Sequence, residues 1–105
     1  MLNMSELAIT KSNFKTEVTE SDRTVLLDFW APWCGPCRMQ GPVLASFADM
    51  HPEIKVGKVN VDEEQELAMN FRVMSIPMLA VFKNGKLVNQ TIGLQSIEGL
   101  ENLIK

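Results

Sequence analysis

Both cysteines of the chain fall in one tetrapeptide, Cys34-Gly35-Pro36-Cys37. Thiols at i and i+3 can exchange a disulfide with another molecule, hold part of a metal site, or staple the backbone. A staple is a poor use of the pair, because closing so short a loop yields only about 2 kcal/mol on a chain-entropy account, before strain. Zinc asks for about four Cys or His ligands, and the sequence offers two cysteines and one histidine. That histidine, His51, follows a helical pattern about 25 Å long at about 1.5 Å per residue. It can neither share a metal with the thiols nor serve as their base, so no metal site is expected. Disulfide exchange is the chemistry left. The tetrapeptide ends a strongly apolar run and opens the helical pattern, which sets Cys34 among the free amides and positive dipole end of a helix N-terminus. That setting favours the thiolate, the attacking species. Cys34 is expected to attack, and Cys37, one turn further, to release the mixed disulfide. Gly35 is expected to let the backbone turn tightly, and Pro36 gives up no needed amide in the first turn.

The elements that must position this pair follow from patterning. The chain has 105 residues, 46% of them hydrophobic, enough to bury a core as a single domain spanning residues 1–105. Leu7–Ile9 is expected to form a short strand, followed by a short helix to about Thr19 capped by Ser12 or Asn13. Thr24–Trp30, nearly all apolar, predicts a strand covered on both faces, with Asp28 its one charge. From Cys34 to Met50, Met39, Val43, Phe47 and Met50 recur at helical spacing, with Leu44 and Ala48 widening the stripe. Pro42 should kink that helix. Ile54–Val61 predicts a second core strand, and Asp62 with Gln65 a capping-box start to a helix through about Asn70. Asn84-Gly85 between Met78–Lys83 and Lys86–Ile92 signals a type I′ hairpin, and Ser96 should cap a last helix. Helical crossovers imply parallel neighbours and the hairpin an antiparallel pair, so the class is α/β with a mixed sheet.

Composition narrows the partners. Ten basic and thirteen acidic residues give a net charge of −3, without a basic stripe for nucleic acid or a polybasic arm for a membrane. The longest apolar run, Ile76–Phe82, is far short of the roughly 20 residues that span a bilayer. The N-terminal Met-Leu-Asn-Met-Ser-Glu carries no export signal, so a cytoplasmic location is expected. In that reducing compartment a cysteine pair favours catalysis over a structural crosslink.

"VLLDFWAPWCGPCRM", with "SIP" before a strand and "FKNGK" in the hairpin, resembles the thioredoxin family over essentially the whole chain. The resemblance implies the thioredoxin fold: a central five-stranded mixed sheet in order 1-3-2-4-5 flanked by four helices, two on each face. It implies a general protein-disulfide reductase, a monomer without a bound cofactor, reduced by a thioredoxin reductase and oxidised by client proteins with disulfides. Asp28 matches the family's buried acid that moves a proton to and from Cys37. Its burial in an apolar strand should also raise its pKa toward neutrality, unless it pairs with Lys58, which matches the family's lysine on the neighbouring strand. Ile76-Pro77 matches the family's cis-proline facing the sulfurs, where the carbonyl of Ser75 and the backbone of Ile76 can pair with an extended client. Trp33, Ile76 and Gly93 match the apolar rim. Trp30 reads as packing support, and Pro32 and Pro42 as shaping residues.

Met78 stands where the family usually has threonine, and Met74 where a polar or basic residue is common, so a more apolar, adaptable client groove is expected unless Met78 points inward. Oxidising and isomerising relatives usually carry histidine between the cysteines, so Gly35-Pro36 favours reduction. The competing reading is a thioredoxin-fold binding or assembly module whose role does not need the thiols. Replacing both cysteines by serine separates the two.

Overall fold

Val25–Trp30 lies at the centre of the molecule because each of its residues through Phe29 is buried, as an apolar run with helices over both faces must be. The computed structural model describes residues 6–105; the N-terminal segment considered above lies, apart from Glu6, outside them. In order come β1 (Glu6–Ala8), a π-helical segment (Lys15–Thr19), β2 (Val25–Trp30), α1 (Gly35–Met50), β3 (Lys55–Asn60), α2 (Gln65–Asn70), β4 (Met78–Lys83), β5 (Lys86–Ile92) and α3 (Ile97–Leu103). The five strands form one sheet in the order β1-β3-β2-β4-β5, as the family resemblance implies.

β3 runs parallel to both β1 and β2. The antiparallel β4–β5 hairpin is as expected, but the expectation of parallel neighbours fails between β4 and β2, which are also antiparallel. After α2 the chain passes through Arg72, in the left-handed region at φ 52, and the cis Ile76–Pro77 bond. It thus enters β4 from the other end of the sheet. The β4–β5 turn holds Asn84 and Gly85 at φ 53 and 77, the double positive φ that a type I′ turn demands.

Side chains alternate across the sheet and build two cores. Leu27, Phe29, Val59, Ala80 and Phe82 pack with Ile9, Val18 and Leu67 beneath the π-helical segment and α2. Leu26, Val56, Leu79 and Val81 pack on the other face with Leu44, Phe47 and Ala48 of α1 and Leu100 and Leu103 of α3. Asp28 and Lys58, two residues beyond Leu26 and Val56, fall on this second face, in register with one another.

Local expectations needed three corrections. The buried stripe of α1 is Cys37, Gln40, Leu44, Phe47 and Ala48, whereas Met39 and Met50 are exposed. The inward-facing Cys37 sets the helix phase, and α1 runs unbroken through Pro42. Asn13 caps no helix; its carboxamide oxygen accepts the Thr10 amide at 2.7 Å, and the segment that follows has no side-chain cap. The predicted cap from Asp62 is not formed: α2 starts after Glu64 without a side-chain cap, and Asn60 Oδ1 accepts the Asp62 amide at 2.9 Å in the turn before it. Ser96 does cap α3, accepting the Gly99 amide at 3.0 Å. Among the described residues no helix is long and apolar enough to cross a membrane.

Candidate active site

α1 begins at the end of the central strand, so its first amides meet whatever leaves β2. Cys34 occupies the N-cap with extended backbone, and its Sγ accepts the Cys37 amide at 3.2 Å. Pro36, in the first turn, has no amide to leave unpaired. A hydrogen bond and a dipole end directed at one sulfur stabilise negative charge on it. Cys34 and Cys37 are joined as a disulfide with Cα atoms 5.2 Å apart. Both are buried, Cys34 at 6% and Cys37 at 2% exposed, and the amide bond to Cys34 Sγ is what sets the two apart. Gly35 departs from its expected duty, because its φ is not left-handed and a Cβ there would meet nothing within 4 Å.

Ala31 and both cysteines form a small buried cluster, against which Trp30, Val61 and Ile76 pack. The Ile76 carbonyl lies 3.8 Å from Cys34 Sγ, where it can accept from the thiol of the reduced form. Gly93, at φ 102, donates its amide to the Pro77 carbonyl at 2.8 Å. Ser75 is exposed beside Ile76. Trp33, 67% exposed, is tethered through its indole N–H to Asp62 Oδ2 at 2.9 Å. Met74 is 91% exposed, but Met78 is 2% exposed and belongs to the core beneath α2, so Met78 faces inward and adds nothing to the groove.

Asp28 is fully buried, and neither carboxylate oxygen has a hydrogen-bond partner. Burial pushes its carboxyl up to about 7, with the Lys58 charge opposing the shift and Glu6 adding to it. The alternative of an Asp28–Lys58 ion pair is not realised: the Lys58 ammonium lies over the Trp30 ring, 4.7 Å from its centroid. Lys58 and Trp30 line a cleft of about 120 Å³ together with Ile9, Asn60, Glu63 and Glu64 among others.

Sequence reading missed two fasteners. Gln40, fully buried on α1, donates to the Gln95 carbonyl at 3.0 Å and accepts the Gln95 amide at 2.7 Å. The loop after Gly93 is thereby pinned to the helix that bears the cysteines. A glutamine one turn after Cys37 on the inward face was the available signal. Asp62, which holds Trp33, gave none.

A disulfide at a helix N-terminus, with a main-chain carbonyl facing its first sulfur, defines a thiol–disulfide oxidoreductase. The Thioredoxin family model matches residues 5–105. The thioredoxin of Alicyclobacillus acidocaldarius subsp. acidocaldarius is 49% identical over 96 residues, 90% of each chain. Thioredoxin 1 of Nostoc sp. is 50% identical over 81% of this chain and 80% of its own, and the thioredoxin of Bacillus subtilis 43% identical over 96% of each. The chain belongs to the thioredoxin family, and its activity is that of a protein-disulfide oxidoreductase.

Proposed function

We propose that the chain is a monomeric, cytoplasmic, general protein-disulfide reductase, acting as one domain over residues 1–105 and recycled by a thioredoxin reductase. The Cys34 thiolate attacks one sulfur of a client disulfide, and the other client sulfur leaves as a thiolate that takes up a proton. Cys37 then gives its proton to Asp28 and attacks Cys34 Sγ. The second client sulfur leaves, so the client gains two electrons and the Cys34–Cys37 disulfide forms. The reductase returns the electron pair. Ser75 and Ile76 offer main-chain partners to an extended client, with Pro77 holding that strand start, while Trp33, Ile76, Gly93 and Met74 border it.

The observation that carries this reading is the asymmetry of the pair. Cys34 Sγ receives the Cys37 amide bond, and Cys37, the more deeply buried of the two, sits on the side of the sheet that holds a buried, unpartnered carboxyl. A group that titrates near neutrality can both accept and return a proton there. Reduction of insulin by dithiothreitol, with and without the protein, tests the activity. Faster reduction is the expected outcome, and coupling to NADPH-linked and ferredoxin-linked thioredoxin reductases then identifies the electron source.

A further inference from the structure

We propose that Trp30 is a positioning residue for proton transfer: its indole face holds the Lys58 ammonium beside the Asp28 carboxylate and prevents the two from closing into an ion pair. Asp28 and Lys58 are direct partners in the parallel β2–β3 register and so project side by side from one face. A lysine opposite a buried aspartate would ordinarily bind it. Here both carboxylate oxygens are unpartnered, and the ammonium lies 4.7 Å from the Trp30 centroid. Trp30 follows Asp28 by two residues on the same strand face, which puts its ring within the lysine's reach. The negative face of an indole is the best aromatic seat for a cation, and Trp30 and Lys58 both line the cleft beside it, which Glu63 and Glu64 also border. Glu64 is partly engaged, accepting the Lys11 amide at 2.8 Å.

The arrangement has a chemical consequence. A carboxylate in contact with an ammonium is held ionised, and such a group is a poor acceptor for the Cys37 proton. With the ammonium parked on the ring, the remaining electrostatic influences on Asp28 are burial, which dominates, the more distant pull of Lys58, and the charge of Glu6 on β1. From β4 the residue opposite is Leu79, and the α1 groups on this side are the two cysteines, which do not titrate while oxidised. This inference rests on the reading of Asp28 as proton carrier.

The test is a double-mutant cycle on the oxidised protein, which has no thiols to titrate, with the Asp28 carboxyl followed by carbon-13 NMR. Trp30→Leu should lower the Asp28 midpoint by roughly one pH unit as the freed ammonium closes on the carboxylate. Trp30→Phe, with a weaker ring face, should shift it the same way by less. In a Lys58→Met background the midpoint should rise, and neither Trp30 substitution should then move it. An equal shift in both backgrounds, no shift, or an upward shift with Lys58 present overturns the proposal. Should the leucine variant not fold, the phenylalanine pair completes the cycle. The proton-carrier reading fails separately, by unchanged insulin reduction in Asp28→Asn at every pH.

Discussion

The two ends of α1 treat ionisable groups in opposite ways. At its C-terminal end, His51 stacks on Phe47 with centroids 4.6 Å apart and bonds Glu101 at 2.8 Å and Glu53 at 3.2 Å. The Glu101 bond comes first among the causes that raise the His51 pKa. Both ring nitrogens of His51 have a partner, and the Glu101 bond ties the end of α1 to α3. At the N-terminal end Cys37 covers a face of the sheet on which Asp28 has no hydrogen-bond partner at all. A buried acid without partners is unfavourable to the fold. The contrast separates two uses of charge: matched groups hold elements together, and an unmatched one, in the function proposed above, changes its protonation state.

The sharpest way to break this contrast is at the sulfurs. Cys34→Ser should reduce insulin turnover to the rate of dithiothreitol alone. Cys37→Ser should still attack but stall, accumulating a client mixed disulfide visible on a non-reducing gel. Asp28→Asn should slow release of that intermediate by about 100-fold near neutral pH, the scale of a lost acid–base group, as read by stopped-flow fluorescence.

The same variant should gain stability with a definite pH signature. The folded pKa lies at about 7, above the 3.8 of an unperturbed aspartate, so between these values the native state binds the extra proton and its stability falls as pH rises. Chemical denaturation should find Asp28→Asn little changed near pH 4 and more stable than wild type by about 4 kcal/mol above pH 8. The methionines provide a smaller test. Met78→Thr should cost roughly 2 kcal/mol by opening the core, while Met74→Lys should leave stability unchanged and alter rates with some protein disulfides and not others. The smallest effect belongs to the far end of α1. His51→Gln should lower the melting temperature at pH 6 and not at pH 9, because a raised histidine pKa stabilises below its unfolded value and loses that contribution as pH rises through the folded one.

Much of this was legible in the sequence where the physics is local. The i, i+3 thiols, the helix start around Pro36, the Asn84-Gly85 turn and the Ser96 cap each depend on a few neighbouring residues. Asp28 was legible because one charge in an apolar strand has few explanations. Relations set by packing were not. Met39 and Met50 have the right periodicity for a core stripe, but the phase of α1 is fixed by Cys37 and by where β2 delivers the chain. The direction of β4 depends on the path from α2, which strand patterning does not encode. The Gln40–Gln95 clasp joins residues 55 apart and the Trp33–Asp62 tether residues 29 apart, so no local rule could pair them. The lysine opposite Asp28 was foreseen, but its preference for the Trp30 ring was not.

The polar contacts of the sulfurs are made by main-chain atoms, the Cys37 amide and the Ile76 carbonyl, and peptide groups also fasten Gly93 to Pro77 and Gln95 to Gln40. Peptide groups are the same whatever side chain they carry. The exposed side chains of Met74, Ile92 and Leu94 can therefore be exchanged without altering those peptide groups. Diversification and catalysis are written on separate atoms, so evolution can edit one without rewriting the other.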